Sequence, residues 1–349
     1  MRKSLHAAVR WLAAAACAIV VGVASAQSPA VNKQEAGEAK QQAAQQEAQP
    51  LNNQPVWSEV RSGQPQFTSI PGRETNVLVQ PQGQTWRALR VPLATAGGFL
   101  VVFALVVLGT FYLWRGPIKV HGKPTGTLIE RFTVVERGVH WTVAIVFTLL
   151  VVSGLIITFG KAVLLPLIGY TLFSWLATLA KNVHNFVGPI LCVSLPLMIA
   201  LFVHSNLPAK HDIAWLKKGG GMLTGEHVPS GKANAGQKIL FWLLPVFLGI
   251  TLCVTGLILD FPNFNQTRST MQIANVVHLV AGIFATCVML GHAYLGTIGM
   301  KGAYEAMRTG YVDETWAREH HEYWYNDVKS KSGRGVAEGA PPAAAHRTA

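Results

Sequence analysis

The chain of 349 residues is 50% hydrophobic and only 13% charged, which argues against an ordinary soluble domain and for a membrane protein. Its formal net charge of +12 is not a nucleic-acid signal. The Lys and Arg residues gather in alternate loops between apolar spans, as orientation in a bilayer requires, and no DNA- or RNA-binding motif accompanies them.

Residues 1–26 begin Met-Arg-Lys, run through WLAAAACAIVVGV and close on Ala24-Ser25-Ala26. A basic start, a short apolar core and an A-x-A site predict a signal peptide cleaved before Gln27, with the mature N-terminus in the periplasm. Residues 27–90 are rich in Ala, Gln, Glu and Pro and are expected to form a periplasmic region. Its first part lacks the apolar surface that would offset ordering entropy, whereas Trp57, Phe67 and Trp86 suit docking in the later part.

Five spans follow, at Val91–Trp114, His140–Phe159, Val183–His204, Ile239–Leu259 and Ile273–Ile298, each near the ~20 residues that a crossing needs. The fold class is therefore an all-α membrane protein, a four-helix transmembrane bundle (116–300) plus one additional N-terminal transmembrane helix (91–115). A cytoplasmic C-terminal tail (301–349) completes the chain. The apolar run Ala162–Ala180 contains Pro166 and Gly169 and lacks flanking charge, which predicts a re-entrant or interfacial element.

Basic residues orient these spans. Arg115, Lys119, Lys123, Arg131 and Arg137 lie between the first and second, and Lys210, Lys217, Lys218, Lys232 and Lys238 between the third and fourth. Lys301, Arg308, Arg318, Lys329, Lys331 and Arg334 follow the fifth, while the intervening loops hold only Lys161, Lys181 and Arg268. The rich loops are expected in the cytoplasm, in agreement with the signal peptide.

Histidines then acquire depths. His278 and His292 stand 14 residues apart on the fifth span, nearly on one face and ~21 Å apart along the axis, most of a ~30 Å hydrocarbon core. His184 opens the third span on the outer side and His140 the second on the inner side, which pairs His184 with His278 and His140 with His292. A single intramembrane histidine is as well explained by core hydrogen bonding, but matched pairs across a bundle suit axial ligation of haem iron. His204 competes with His140 on depth, yet its place at a helix exit is accounted for by snorkelling.

His121, His211, His227, His320 and His321 lie in loops or the tail and receive no ligand role. Gly188 and Gly282 each follow a histidine by four residues and offer flat helix walls, although ordinary small-residue packing uses the same spacing. Cys17 lies in the first apolar run, and Cys192, Cys253 and Cys287 lie within spans. None has metal-ligand spacing and no C-x-x-C-H is present, so they read as small buried hydrophobes.

The segments RFTVVERGVHW, NVHNFVG, KANAGQKILFW, TGLIL, HLVAGIFATCVMLGHAYLG and WAREHHEYWY resemble the gamma subunit of membrane-bound formate dehydrogenase, a dihaem cytochrome b. The resemblance runs from about Thr127 to Val328, and its combined motifs are specific. It implies two b-type haems, the outer held by His184 and His278 and the inner by His140 and His292. It also implies a quinone contacted by Asn234 and Gly236, with Gln237 adjacent, in a loop beside the inner haem.

The implied partners are an iron–sulfur beta subunit and a molybdenum or tungsten alpha subunit that oxidises formate, in the lipid of a bacterial inner membrane. The residues themselves offer a plainer account of the loop, in which Asn234 caps the fourth span and Gly236 permits close backbone approach. Residues 1–115 lie outside the shorter, four-span form of the family and resemble a longer variant.

Other readings remain at this point. A cytochrome b subunit of a hydrogenase or thiosulfate reductase would carry similar histidine pairs, and co-purifying subunits would separate it. A histidine-using transporter would be expected to show internal repeats and mid-membrane carboxylates. No such repeat is evident, and no span centre carries Asp or Glu. A purely structural anchor leaves the matched histidine depths unexplained.

Overall fold

In lipid each backbone N–H and C=O must find its partner within the protein, so apolar runs of this length form helices. The computed structural model describes residues 61–62, 66–67, 77–79, 81–221, 226–264 and 266–332. The predicted signal peptide, residues 27–60 with Trp57, and the last part of the predicted tail lie outside the described residues.

The short strands β1 (Gln66–Phe67) and β2 (Val77–Val79) pair antiparallel ahead of α1 (Pro81–Arg115). Strand β3 (Leu128–Glu130) leads to α2 (Val134–Val163) and α3 (Leu165–Phe202). After α4 (His211–Lys217) comes α5 (Ala235–Phe241). A π-helical stretch, Trp242–Gly249, carries α5 into α6 (Ile250–Asp260). It contains Pro245, whose missing N–H interrupts the regular ladder. The fifth long helix is α7 (Arg268–Tyr294), extended by a π-helical turn to Gly299. The chain closes with α8 (Ala303–Thr309), β4 (Tyr311–Asp313), α9 (Glu314–His320) and α10 (Glu322–Ser332).

Among the described residues five helices are long and apolar enough to cross a membrane, so the all-α class of four spans plus one holds. Their outward side chains include exposed Leu167, Phe186 and Val193, an apolar surface suited to lipid.

The chain forms two compact units. The first comprises the chain up to Gly116, Gly138–Ile199 and Leu243–Tyr294. Val143, Val146, Leu191 and Leu195 make one part of its core, and Leu248, Leu252, Ala281 and Ala285 another. Within it α1 runs parallel to α7, and the contacts advance together along both helices. The Trp86 indole donates to Asn275 Oδ1 at 3.1 Å. A Cβ on Gly97 would stand only 2.0 Å from Ile283 Cδ1. Further along, Phe111 and Tyr112 set their rings 6.4 and 6.3 Å from Tyr294. The additional N-terminal helix therefore lies against the helix that carries His278 and His292.

The second unit comprises Pro117–Arg137, Ala200–Trp242 and the chain from Leu295 onward. Strands β3 and β4 pair antiparallel, with Ile129 opposite Val312. Ala306, Val312, Trp316, Ala317 and Tyr325 form its core, with Val120, Phe132 and Trp324 packed around them. Residues 301–332, expected as a tail, are thus folded. Asp313 ties the pieces by capping α9 at Thr315 N and accepting from Gly126 N.

The segment Ala162–Ala180 also differs from expectation. Gly169 adopts φ 75°, ψ 172°, a conformation open to glycine, and breaks the helix there. Beyond it the helix runs unbroken from Tyr170 to Phe202, so the later part of the segment is continuous with the third span. Pro189 and Pro196 are accommodated inside the same helix.

Candidate functional site

Helices α2, α3 and α7 carry the four intramembrane histidines, and the structure brings them together in two pairs. The rings of His184 and His278 stand 6.0 Å apart between centroids, inclined by 77°. Those of His140 and His292 stand 6.1 Å apart, inclined by 62°. Two metal–imidazole bonds of about 2 Å each, plus the two ring half-widths, span about this distance. Each separation suits a single ion held between the two imidazoles.

The His184–His278 pair is held in matching fashion by two neighbouring helices. Ser153 Oγ of α2 lies 2.9 Å from His184 Nδ1, and Thr255 Oγ1 of α6 lies 2.8 Å from His278 Nδ1. The residue after each hydroxyl is glycine. A Cβ on Gly154 would stand 3.3 Å from His184 Cε1, and one on Gly256 would stand 3.4 Å from His278 Cε1. These two glycines give the rings their seats. Gly188 and Gly282, expected to supply flat walls, are not demanded by neighbours: a Cβ there would meet nothing within 4 Å or only Leu252 at 3.8 Å.

Sequence reasoning missed Ser153, Gly154, Thr255 and Gly256, although a signal was present. LVVSGLI (150–156) and LCVTGLI (252–258) are copies of one pattern. The other pair is less enclosed by polar groups: His140 Nδ1 is buried without a hydrogen-bond partner among the described residues, and the His140 ring meets Trp141 edge-on.

His204 is exposed in a short 3-10 turn, Val203–Asn206. The remaining histidines among the described residues are occupied in the second unit. His121 faces Glu319, and His227 contacts Glu322 and the Glu319 carbonyl. His211 lies beside Asp212, and His320 stacks on Trp316. His321 is only 1% exposed and touches the Arg131 guanidinium. No cluster of three or more His, Cys, Asp or Glu side chains arranged for a metal ion exists among the described residues. Cys192, Cys253 and Cys287 are free thiols, half-buried, and Cys17 lies outside the described residues.

The KANAGQK loop sits in the second unit as the start of α5. Asn234 Oδ1 accepts from Gln237 N, and Gln237 Oε1 accepts from Asn234 N, a reciprocal cap. Gly236 is required by Trp215, whose ring would stand 2.9 Å from a Cβ there. Behind the loop, Lys238 Nζ reaches both carboxylate oxygens of Asp212 at 2.9 Å. Burial pushes the Asp212 carboxyl up, but Lys238 and the Ala209 N–H outweigh it and hold the group below its ordinary range.

Residues 131–310 match the family described as prokaryotic cytochrome b561. The chain is 33% identical over 222 residues to the nitrate-inducible formate dehydrogenase cytochrome b556(Fdn) subunit of Escherichia coli K12, covering 60% of this chain and 96% of that protein. It is 33% identical over 210 residues to the formate dehydrogenase cytochrome b556(fdo) subunit of the same organism, covering 58% and 93%. A formate dehydrogenase cytochrome b556 subunit of Haemophilus influenzae is 30% identical over 212 residues, covering 58% and 84%.

Proposed function

Since this chain belongs to the prokaryotic cytochrome b561 family, as a cytochrome b subunit of formate dehydrogenase, we propose that it carries electrons from an iron–sulfur subunit through two b-type haems to a membrane quinone. The observation that carries the reading is the pair of matched ring separations, 6.0 Å for His184–His278 and 6.1 Å for His140–His292.

Haem, when bound, would supply one-electron oxidation and reduction. His184 and His278 would hold one such group, and His140 and His292 the other. His278 and His292 belong to one helix, ~21 Å apart along its axis, so a single rigid element sets the spacing of the two stations. The basic loops put the His184–His278 end at the periplasmic side of the inner membrane and the His140–His292 end at the cytoplasmic side. Formate is oxidised on the molybdenum or tungsten subunit, and this chain anchors that assembly to the bilayer.

The quinone meets the loop of Asn234, Gly236 and Gln237. The cap consumes Asn234 Oδ1 and leaves its Nδ2 amide as a donor toward a quinone carbonyl. Capping and quinone contact are compatible roles for one side chain.

The test is a difference spectrum of the purified complex with formate as reductant. The expected result is a b-type, bis-histidine signal of two haems per chain that is reoxidised by added quinone. A complex without that signal overturns the reading.

A further inference from the structure

We propose that Ser153 and Thr255 are positioning residues that fix His184 and His278 as Nδ1–H tautomers, so that each presents Nε2 to iron as a more basic ligand. The inference rests on the reading of these histidines as haem ligands and deepens it.

A serine hydroxyl has one hydrogen, and Ser153 Oγ spends it on the Leu149 carbonyl at 2.7 Å, one helical turn back. The contact between Ser153 Oγ and His184 Nδ1, at 2.9 Å, must then be donated by the imidazole. The Leu150 carbonyl, 3.2 Å away, is a second acceptor for the same hydroxyl hydrogen and likewise has no proton to give. The second site repeats the first. Thr255 Oγ1 spends its hydrogen on the Thr251 carbonyl at 2.7 Å, has the Leu252 carbonyl as a second acceptor at 3.4 Å, and stands 2.8 Å from His278 Nδ1.

With the proton fixed at Nδ1, the neutral ring keeps its lone pair on Nε2, the atom an axial ligand needs. Hydrogen bonding at Nδ1 also draws that proton toward an acceptor, enriches the ring in electrons and makes Nε2 a stronger donor to ferric iron. The expected consequence is a lower reduction potential at this station than its ligand set alone would give.

The repeat of LVVSGLI and LCVTGLI shows that two helices carry one device: a leucine carbonyl, a hydroxyl three residues on, and then a glycine that seats the ring. His140 Nδ1 of the other pair has no such hydroxyl among the described residues, so that station serves as an internal control.

The test is a redox titration of the whole complex, followed at the haem absorption bands and by the low-spin ferric EPR signals. Ser153→Ala, Thr255→Val and the double variant are compared with the unaltered complex, and His278→Ala identifies which wave belongs to this station. In each variant that wave is expected to shift to higher potential, furthest in the double variant, with an altered EPR signal, while the other wave stays in place. Ser153→Thr and Thr255→Ser, which keep the hydroxyl, are expected to restore the original potential. Loss of the haem in Ser153→Ala with retention in Ser153→Thr also supports the assignment. Unmoved potentials in haem-replete variants overturn it, as does equal loss in the alanine and threonine variants. If the unaltered complex shows no bis-histidine signal, it is the ligand assignment that has failed.

Discussion

The two compact units each enclose histidines away from water, and they treat them in opposite ways. In the second unit His321 has both nitrogens bound by protein: Nδ1 donates to the Gly231 carbonyl at 2.7 Å, and Nε2 accepts from Arg131 at 2.8 Å. Burial first, and then the Arg131 charge, hold this imidazole well below its ordinary pKa, so it is neutral. Burial also draws the Arg131 guanidinium down to about 9. Its charge rests on the Lys232 carbonyl, His321 and the faces of Phe132 and Trp316. In the first unit His184 and His278 each engage a hydroxyl through Nδ1, and the ring faces a second imidazole across 6.0 Å. A buried histidine with both nitrogens satisfied holds a fold together. One that shares a gap with another imidazole is arranged for something placed between them.

The sharpest way to break this comparison is to truncate one histidine of each kind. His278→Ala is expected to halve the haem-to-protein ratio and abolish formate-driven quinone reduction, with the second unit still folded. A full haem complement in that variant refutes the ligand role. His321→Ala should do the reverse. It leaves the buried Arg131 guanidinium short of an acceptor, which costs about 3 kcal/mol and shows as early melting or proteolysis of the chain beyond Leu295. The b-type spectrum should persist.

How much of this was legible in the sequence follows the same division. Spans and histidine depths are local properties, set by about twenty apolar residues and a fixed rise per residue, so the five helices and the four facing histidines could be read directly. The fold of residues 301–332 could not. Its buried contacts join His321 to Arg131 and Ser230, far apart in the chain, and no periodicity within WAREHHEYWY records them. Pro166 and Gly169 weigh against a further span in sequence, and Gly169 does break the helix, but the run of Tyr170–Ala180 into the third span depends on packing that no local signal records. Ser153 and Thr255 escaped notice because single hydroxyls within a span usually bond their own helix, and these two do so as well.

The pH response separates the two kinds of histidine further. His321 has a folded-state pKa depressed below its unfolded value of about 6.5. The unfolded chain therefore takes up the proton first, and the stability of the second unit is present above about pH 6.5 and declines as pH falls below it. Melting profiles recorded between pH 8 and 5 should show this slope, and His321→Asn should flatten it. An unchanged slope in that variant assigns the effect to other groups.

A smaller effect is expected where α1 meets α7. Gly97→Leu drives a side chain into Ile283, whose Cδ1 would lie 2.0 Å from the first added carbon, and overpacking of this kind costs about 1–3 kcal/mol. Thermal melting in detergent should fall accordingly, with recovery in the Gly97→Leu, Ile283→Ala double variant. If the single variant melts normally, α1 does not depend on close approach there.

The smallest expected effect is the most discriminating for the quinone loop. Asn234→Ala removes the side-chain acceptor from Gln237 N and costs about 1 kcal/mol as a lost helix cap, whether or not the residue meets quinone. Asn234→Ser keeps a capping oxygen but lacks the Nδ2 donor. If that amide donates to a quinone carbonyl, the serine variant melts like the parent while its KM for quinone rises about tenfold, the equivalent of ~1.4 kcal/mol for one lost hydrogen bond. If Asn234 is a cap alone, both melting and KM stay unchanged in the serine variant, and only the alanine variant shows a loss, confined to stability. The cap is visible in the fold and the donor is proposed for the site, and serine is the substitution that separates them.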